Sequence, residues 1–269
     1  MDRDVTDFNI RLRTIKLREL AVCIIITIAV LLGLSLAIPE ISYDENLSSL
    51  TYLVIILIFF IWCLKGTTGI KKDFNNIFLN ENRNEILYVC LINLIFAFLF
   101  IAGVGILDMF FGMTDPSWIS PLDFEVVDYS LEAFILTAVL DIIFAPIIEE
   151  LVFRGVLFNR LKIRIGMIPA MIISSFLFGI GHGFGAITSA FLFGICMCIL
   201  YAKTDNILIP MAVHCLNNII ATILDSTPID MILMNYPWNF IVLIITLIAA
   251  VLLIKYIVNE LSSLKKVYS

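Results

Sequence analysis

Eight hydrophobic runs, near residues 20–39, 48–64, 87–107, 131–158, 167–182, 186–202, 206–224 and 236–256, take up most of the chain. Runs of this kind cross roughly 30 Å of hydrocarbon as helices. The 269 residues are 61% hydrophobic and only 15% charged, too few charged side chains to cover a globule in water. Lipid must cover the outside, so the expected fold class is an all-α polytopic membrane helical bundle of about eight transmembrane helices. The run at 131–158 is over-long, and Pro146 inside it predicts a kink. The first run follows a basic stretch as a signal peptide would, but it is long for that role and more spans follow. It reads as an anchor. No internal repeat is visible, and the chain reads as one integrated membrane domain in three regions. These are an N-terminal three-helix membrane region at 1–130, a core at 131–224, and a C-terminal transmembrane helix and tail at 225–269.

The 17 basic residues give an orientation. Arg3, Arg11, Arg13, Lys16 and Arg18 precede the first span, and Lys65, Lys71, Lys72 and Arg83 lie between the second and third. Arg154, Arg160, Lys162 and Arg164 close the fourth, Lys203 closes the sixth, and Lys255, Lys265 and Lys266 belong to the end of the eighth and the tail. The alternate loops 40–47, 114–130 and 225–235 hold Asp and Glu but no Lys or Arg. With both termini cytoplasmic, this pattern satisfies the positive-inside rule, and the expected location is the cell membrane as a multi-pass protein. The net charge of -6 gives no reason to expect a nucleic-acid partner. Cys23, Cys63, Cys90, Cys196, Cys198 and Cys215 all fall in apolar runs, where they read as small buried hydrophobes rather than a disulfide framework.

Ionisable groups inside a span cost several kcal/mol unless paired, and by default they mark function. Three segments carry them: Ala145-Pro-Ile-Ile-Glu149-Glu150-Leu-Val-Phe-Arg154-Gly155, Phe178-Gly-Ile-Gly-His182-Gly, and His214-Cys-Leu-Asn217-Asn218. The chain has two histidines, and both are here. Glu150 and Arg154 stand at i and i+4, so they share a helix face and read first as a structural clamp. Glu149 points about 100° away and gains no such partner within its own helix. A structural account of that carboxylate is hard to find. His182 reads equally as a satisfied buried histidine or as a functional one, while His214 and Asn218, again i and i+4, suit either chemistry or hydrogen bonding between helices. Ser174 and Ser175 read as helix-packing residues, and Asp141 has no assigned role.

Depth joins the three segments. Counted from the basic turn at 160–164, Glu149 lies roughly 16 Å along a helix and His182 roughly 22 Å. His214 and Asn218 lie roughly 12 and 18 Å beyond the turn at 203–206. One slab near the bilayer midplane therefore receives a carboxylate, two imidazoles and an amide. Around a water-filled cavity, Glu149 can take a proton from water that His182 orients, while His214 and Asn218 donate to a developing oxyanion. No HExxH helix is present, although Glu149, His182 and His214 as a set have the chemistry to ligate Zn²⁺.

Glu149-Glu150-x-x-x-Arg154, Phe178-x-x-x-His182 and His214-x-x-x-Asn218 resemble the three motifs of the CPBP family, the CAAX proteases and bacteriocin-processing enzymes. The resemblance covers roughly residues 131–224, the CAAX-protease-like core. It implies an intramembrane, glutamate-dependent endopeptidase without an essential metal or other cofactor, similar to the CAAX prenyl endopeptidase, acting on a peptide or membrane-protein substrate. Glu149 matches the family's general base, His182 its water-orienting histidine, and His214 and Asn218 its oxyanion site. Glu150, Arg154, Phe178 and Asn217 match supporting positions. Two other classes compete: a non-catalytic bacteriocin-immunity or interaction membrane protein, and a proton-relaying transporter, which the lack of inverted repeats disfavours. A reporter fused at either terminus is expected to read cytoplasmic and one inserted beside Asp123 external. A cytoplasmic signal at Asp123 would break the eight-span topology.

Overall fold

A computed structural model of the protein describes residues 5–111 and 130–268. Most of the outer loop at 114–130, including Asp123, therefore lies outside the described residues, as does Arg3. The described residues contain helices and no strand. A short helix α1 (Asp7–Thr14) precedes α2 (Leu17–Ala37) and α3 (Glu45–Leu64), then a second short helix α4 (Ile70–Ile77) leads into α5 (Asn80–Leu107). After the loop come α6 (Leu131–Ile165), α7 (Met167–Ile180), α8 (Ile187–Thr204), α9 (Leu208–Asp225), the small α10 (Ile229–Met234) and α11 (Trp238–Tyr268).

Each of the eight apolar runs is a helix, but among the described residues only seven helices are long enough to cross a membrane. The exception is α7, with 14 residues. At 1.5 Å per residue it is about 21 Å long, short of the roughly 30 Å of hydrocarbon. Gly181, His182 and Gly183 follow it as a turn, and a 3-10 turn at Phe184–Ala186 hands the chain straight to α8. His182 thus sits where a helix stops short and reverses, not within a full crossing. By contrast α6 has 35 residues, about 52 Å, and carries Arg160, Lys162 and Arg164 in its last turns.

The helix apolar all round is α8, and it occupies the centre of the bundle: Phe193 through Ala202 are all buried. The outer helices turn large apolar residues outward instead, as with Ile25, Leu32, Ile58 and Ile248, the pattern of a lipid-facing surface. All six cysteines are free.

One end of the bundle is knitted by polar bonds. Thr6 caps α1 and donates its hydroxyl to Asp73 Oδ2 at 2.6 Å, and Asn9 Nδ2 donates to the same oxygen at 2.8 Å. Asn206 Nδ2 donates to Asp73 O, and Ile207 N–H to Asn9 Oδ1, so α1, α4 and the α8–α9 turn share one network. That turn needs Asp205 in the left-handed region at φ 53°, and Arg13 pairs with its carboxylate at 2.7 Å. Leu12 of α1 is fully buried against Gly155, where a Cβ would stand 2.9 Å from both Leu12 methyls. On the flank, Lys203 of α8 pairs with Glu85 of α5 and Glu260 of α11, and Tyr256 donates to Glu85.

Burial pushes the Asp73 carboxyl above its ordinary range, against the hydrogen bonds from Thr6 and Asn9 and the charge of Lys72. Its linkage contribution to stability is therefore greatest below the ordinary carboxylate range and is lost as pH rises through the raised value. Replacing Asp73 by Ala strips two buried donors of their acceptor, each costing about 1–3 kcal/mol when left unpaired. Thermal unfolding in detergent is expected to show a clear drop for Asp73→Ala and a smaller one for Asp73→Asn, which keeps an acceptor oxygen.

Candidate active site

The first motif lies on a stretch of α6 that is not regular α-helix. Residues Leu140–Phe144 and Leu151–Phe158 are π-helical, with one and a half turns of α-helix, Ala145–Glu150, between them. This is how the chain accommodates Pro146, which has no N–H and whose ring would collide with a carbonyl four residues back. The kink expected at Pro146 takes the form of widened turns. Ala145 N–H donates five residues back to Leu140 O. Pro146 cannot do the same for Asp141 O, and Asn218 Nδ2 of α9 supplies that donor instead at 2.7 Å. The second widened stretch is finished in the same way. Asn159 N–H turns to Val156 O, while its side-chain amide takes Arg154 O and Gly155 O, and Ser174 Oγ donates to Phe153 O.

On this stretch two neighbouring carboxylates receive opposite environments. Glu150 is fully buried and Glu149 is 31% exposed along its side chain. Arg154 Nη1 donates to Glu150 Oε1 at 2.9 Å, with both side chains at 0% exposure, as expected from their i, i+4 spacing. His214 of α9 joins the same oxygen through Nδ1 at 3.0 Å. A carboxylate only accepts, so Nδ1 carries the proton and Nε2 faces outward. That nitrogen lies 3.7 Å from Glu149 Oε2, beyond direct hydrogen-bond range. The chain Arg154–Glu150–His214 is thus anchored in the core and ends beside Glu149.

Phe178 of α7 gathers the remaining groups. Its ring lies under the Arg154 guanidinium, 4.4 Å from ring centre to Cζ, and against His214 at 5.7 Å and His182 at 4.6 Å. The cation over the ring face is favourable where water is excluded, which matters because Arg154 Nε and Nη2 have no hydrogen-bond partner among the described residues. His182 Nδ1 bonds to Phe178 O at 2.9 Å, which orients the ring and leaves Nε2 for other work.

The structure therefore brings Glu149, Glu150, Arg154 and His214 into one cluster and ties His182 to it through Phe178. Asn218 bonds to Asp141 O through its amide and keeps one amide hydrogen to donate. Asn217 is half-buried, and its side chain makes no hydrogen bond among the described residues. Among those residues no group of three His, Cys, Asp or Glu side chains is gathered to hold a metal, so Glu149, His182 and His214 are not assembled as a ligand set here. Only Glu149 and His214 approach each other, and His182 Nδ1 is committed to Phe178 O.

Three contributors carry no signal in the sequence. Gly194 of α8 lets the guanidinium in, since a Cβ there would stand 2.9 Å from Ser175 Cβ and 3.1 Å from Arg154 Nη2. Phe193 walls His214 at 5.1 Å. The Asp141 carbonyl matters through its backbone, which no residue-type pattern reveals. Removing one partner of a buried pair costs roughly 3–5 kcal/mol. Arg154→Ala is therefore expected to lower yield and thermal stability, read by fluorescence-detected size exclusion, with activity falling as a consequence.

Comparison with known proteins bears on the same segment. Residues 131–220 match the family described as Type II CAAX prenyl endopeptidase Rce1-like. A Bacillus subtilis (strain 168) protein named "Putative membrane peptidase YdiL" is 30% identical over 102 residues, which are 37% of this chain and 41% of that relative. The match thus spans less than half the length of the curated relative. No solved structure matches the chain. Residues 131–220, the stretch that holds Glu149, His182 and His214, are thus similar to CAAX prenyl endopeptidases and lie in a multi-pass helical membrane protein.

Proposed function

We propose that the protein is an intramembrane endopeptidase that hydrolyses a peptide bond in a peptide or membrane-associated protein. The observation that carries this reading is the split between adjacent carboxylates. Glu150 is held in a fully buried pair, while Glu149 stays partly exposed beside an oriented imidazole. Paired carboxylates in unlike environments are the arrangement from which acid–base roles are drawn.

In this mechanism Glu149 takes the proton of a water that bridges it to a neighbouring imidazole. The 3.7 Å gap between Glu149 and His214 Nε2 is too long for a direct bond and suits a third polar atom. His182, fixed through Nδ1, presents Nε2 to the same water. Attack on the scissile carbonyl builds an oxyanion, to which the free amide hydrogen of Asn218 donates. Glu149 then passes its proton to the leaving amine. Glu150 and Arg154 do no chemistry; they hold His214 in its tautomer and place. The similarity of residues 131–220 to CAAX prenyl endopeptidases supports the reaction class.

Glu149→Gln keeps size and hydrogen-bonding capacity but cannot act as a base. Turnover of a membrane-peptide substrate, identified by comparative peptidomics of membranes holding either form, is expected to fall by about 10²–10⁴-fold at near-normal protein levels. The wild-type protein, assayed alongside, is expected to stay active after exhaustive chelation. Full activity of a properly folded Glu149→Gln protein would end this mechanism. Loss of wild-type activity to chelator with recovery on Zn²⁺ would transfer it to Lewis-acid chemistry.

A further inference from the structure

Where α2 begins and α6 ends, three linked cavities lie outside the candidate active site. The largest, about 610 Å³, is a groove between α2 and α3 walled by Val22, Ile26, Ile58 and Phe59, with Arg18 and Glu19 at its head. Arg18 also lines a second cavity of about 260 Å³ together with Lys16 and Arg164. Lys16 and Arg164 in turn line a third, about 110 Å³, with Arg160. Shared lining residues make the three neighbours: an apolar trough lies beside a cradle of four cations.

The charges of this cradle are largely unspent. Lys16, Arg18 and Arg164 are exposed and form no ion pair among the described residues. Arg160 uses Nε to hold Ile15 O at 2.6 Å, which fixes its stem and leaves the outer nitrogens. Glu19 is the acidic residue among the cavity linings, and its Oε2 already accepts Lys16 N–H at 2.9 Å at the start of α2. Four cations therefore face one carboxylate. Lys16 and Arg18 flank Leu17, the first residue of a membrane-crossing helix, which puts the cradle at headgroup depth and the trough at acyl-chain depth.

We infer that this is a binding site for an anionic phospholipid, its phosphate among Lys16, Arg18 and Arg164 and an acyl chain along the α2–α3 groove. A small free anion needs the cradle and has no use for the trough. A zwitterionic lipid fills the trough and gains little from four cations that face a single carboxylate. Only a lipid with net negative charge uses both, and basic pockets beside transmembrane helices recognise such headgroups. Glu19 Oε1 offers an acceptor to a headgroup hydroxyl, which makes phosphatidylglycerol the probe of choice.

The test is native mass spectrometry of the purified full chain in neutral detergent. Phosphatidylglycerol and phosphatidylcholine of identical chains are titrated separately, with glycerophosphoglycerol as a headgroup lacking chains. The wild type is expected to retain phosphatidylglycerol over phosphatidylcholine by about tenfold, given the size of each basic contribution near a membrane surface. The triple variant Lys16→Gln, Arg18→Gln, Arg164→Gln is expected to lose that preference. Ile26→Trp fills the groove with every charge in place and is expected to lose phosphatidylglycerol too, so the test survives a misfolded triple variant. Equal retention of the two lipids by the wild type, a preference that persists in the triple variant, or undiminished phosphatidylglycerol in Ile26→Trp would each overturn the site. Glycerophosphoglycerol binding as tightly as the whole lipid would overturn it as well.

Discussion

The rest of the site depends on one buried ion pair. Glu150 and Arg154 have no exposure at all, and the desolvation of two such charges is repaid only when every neighbour is shaped for them. Those neighbours come from separate helices. Glu150 Oε1 receives Nη1 of its own helix and Nδ1 of His214, while the guanidinium lies over the Phe178 ring and against Gly194. The first motif is thereby fastened to the second and the third, and the orientation of His214 follows from where the pair sits. Glu150 Oε2 has no hydrogen-bond partner among the described residues, which leaves the network strongly polarised toward Oε1.

The irregular backbone of α6 is the second requirement. A regular helix through Pro146 would lose a hydrogen bond and gain a collision. The widened turns remove the collision but change which carbonyls are served, and side chains of other elements take up the loose ends: Asn218 at Asp141 O, Asn159 at Arg154 O and Gly155 O, Ser174 at Phe153 O. In a membrane this accounting is strict, because no water reaches a stranded carbonyl. Widened turns of this kind frequently accompany functional sites, where they re-aim side chains that a uniform helix would place elsewhere.

The same logic sets the two ends of the bundle apart. At the end that carries α1, buried Thr6, Asn9 and Asp73 and the left-handed Asp205 close the polypeptide over itself, and Leu12 seals against Gly155 just beyond Arg154. The short α7 stops well before a full crossing and leaves His182 at a turn. A helix that ends early gives a polar side chain a place in the interior without interrupting hydrogen bonds of a continuous span.

The sequence by itself determined the eight helical runs, the absence of a disulfide framework and the three polar segments, because hydrophobic length and the cost of intramembrane charge are local properties of the chain. It also determined the Glu150–Arg154 pair, since i and i+4 on a helix meet whatever surrounds them. Tertiary structure decided what spacing does not encode. His214 serves Glu150 before anything else, Asn218 is tied to the Asp141 carbonyl, and Phe178 is the ring on which Arg154, His182 and His214 meet. The length of α7 was also decided there: its apolar run extends to residue 182, yet the helix ends at Ile180, where the chain turns at Gly181 and Gly183 into α8. Helix period fixes which residues share a face; only the packing of one helix on another fixes what that face meets.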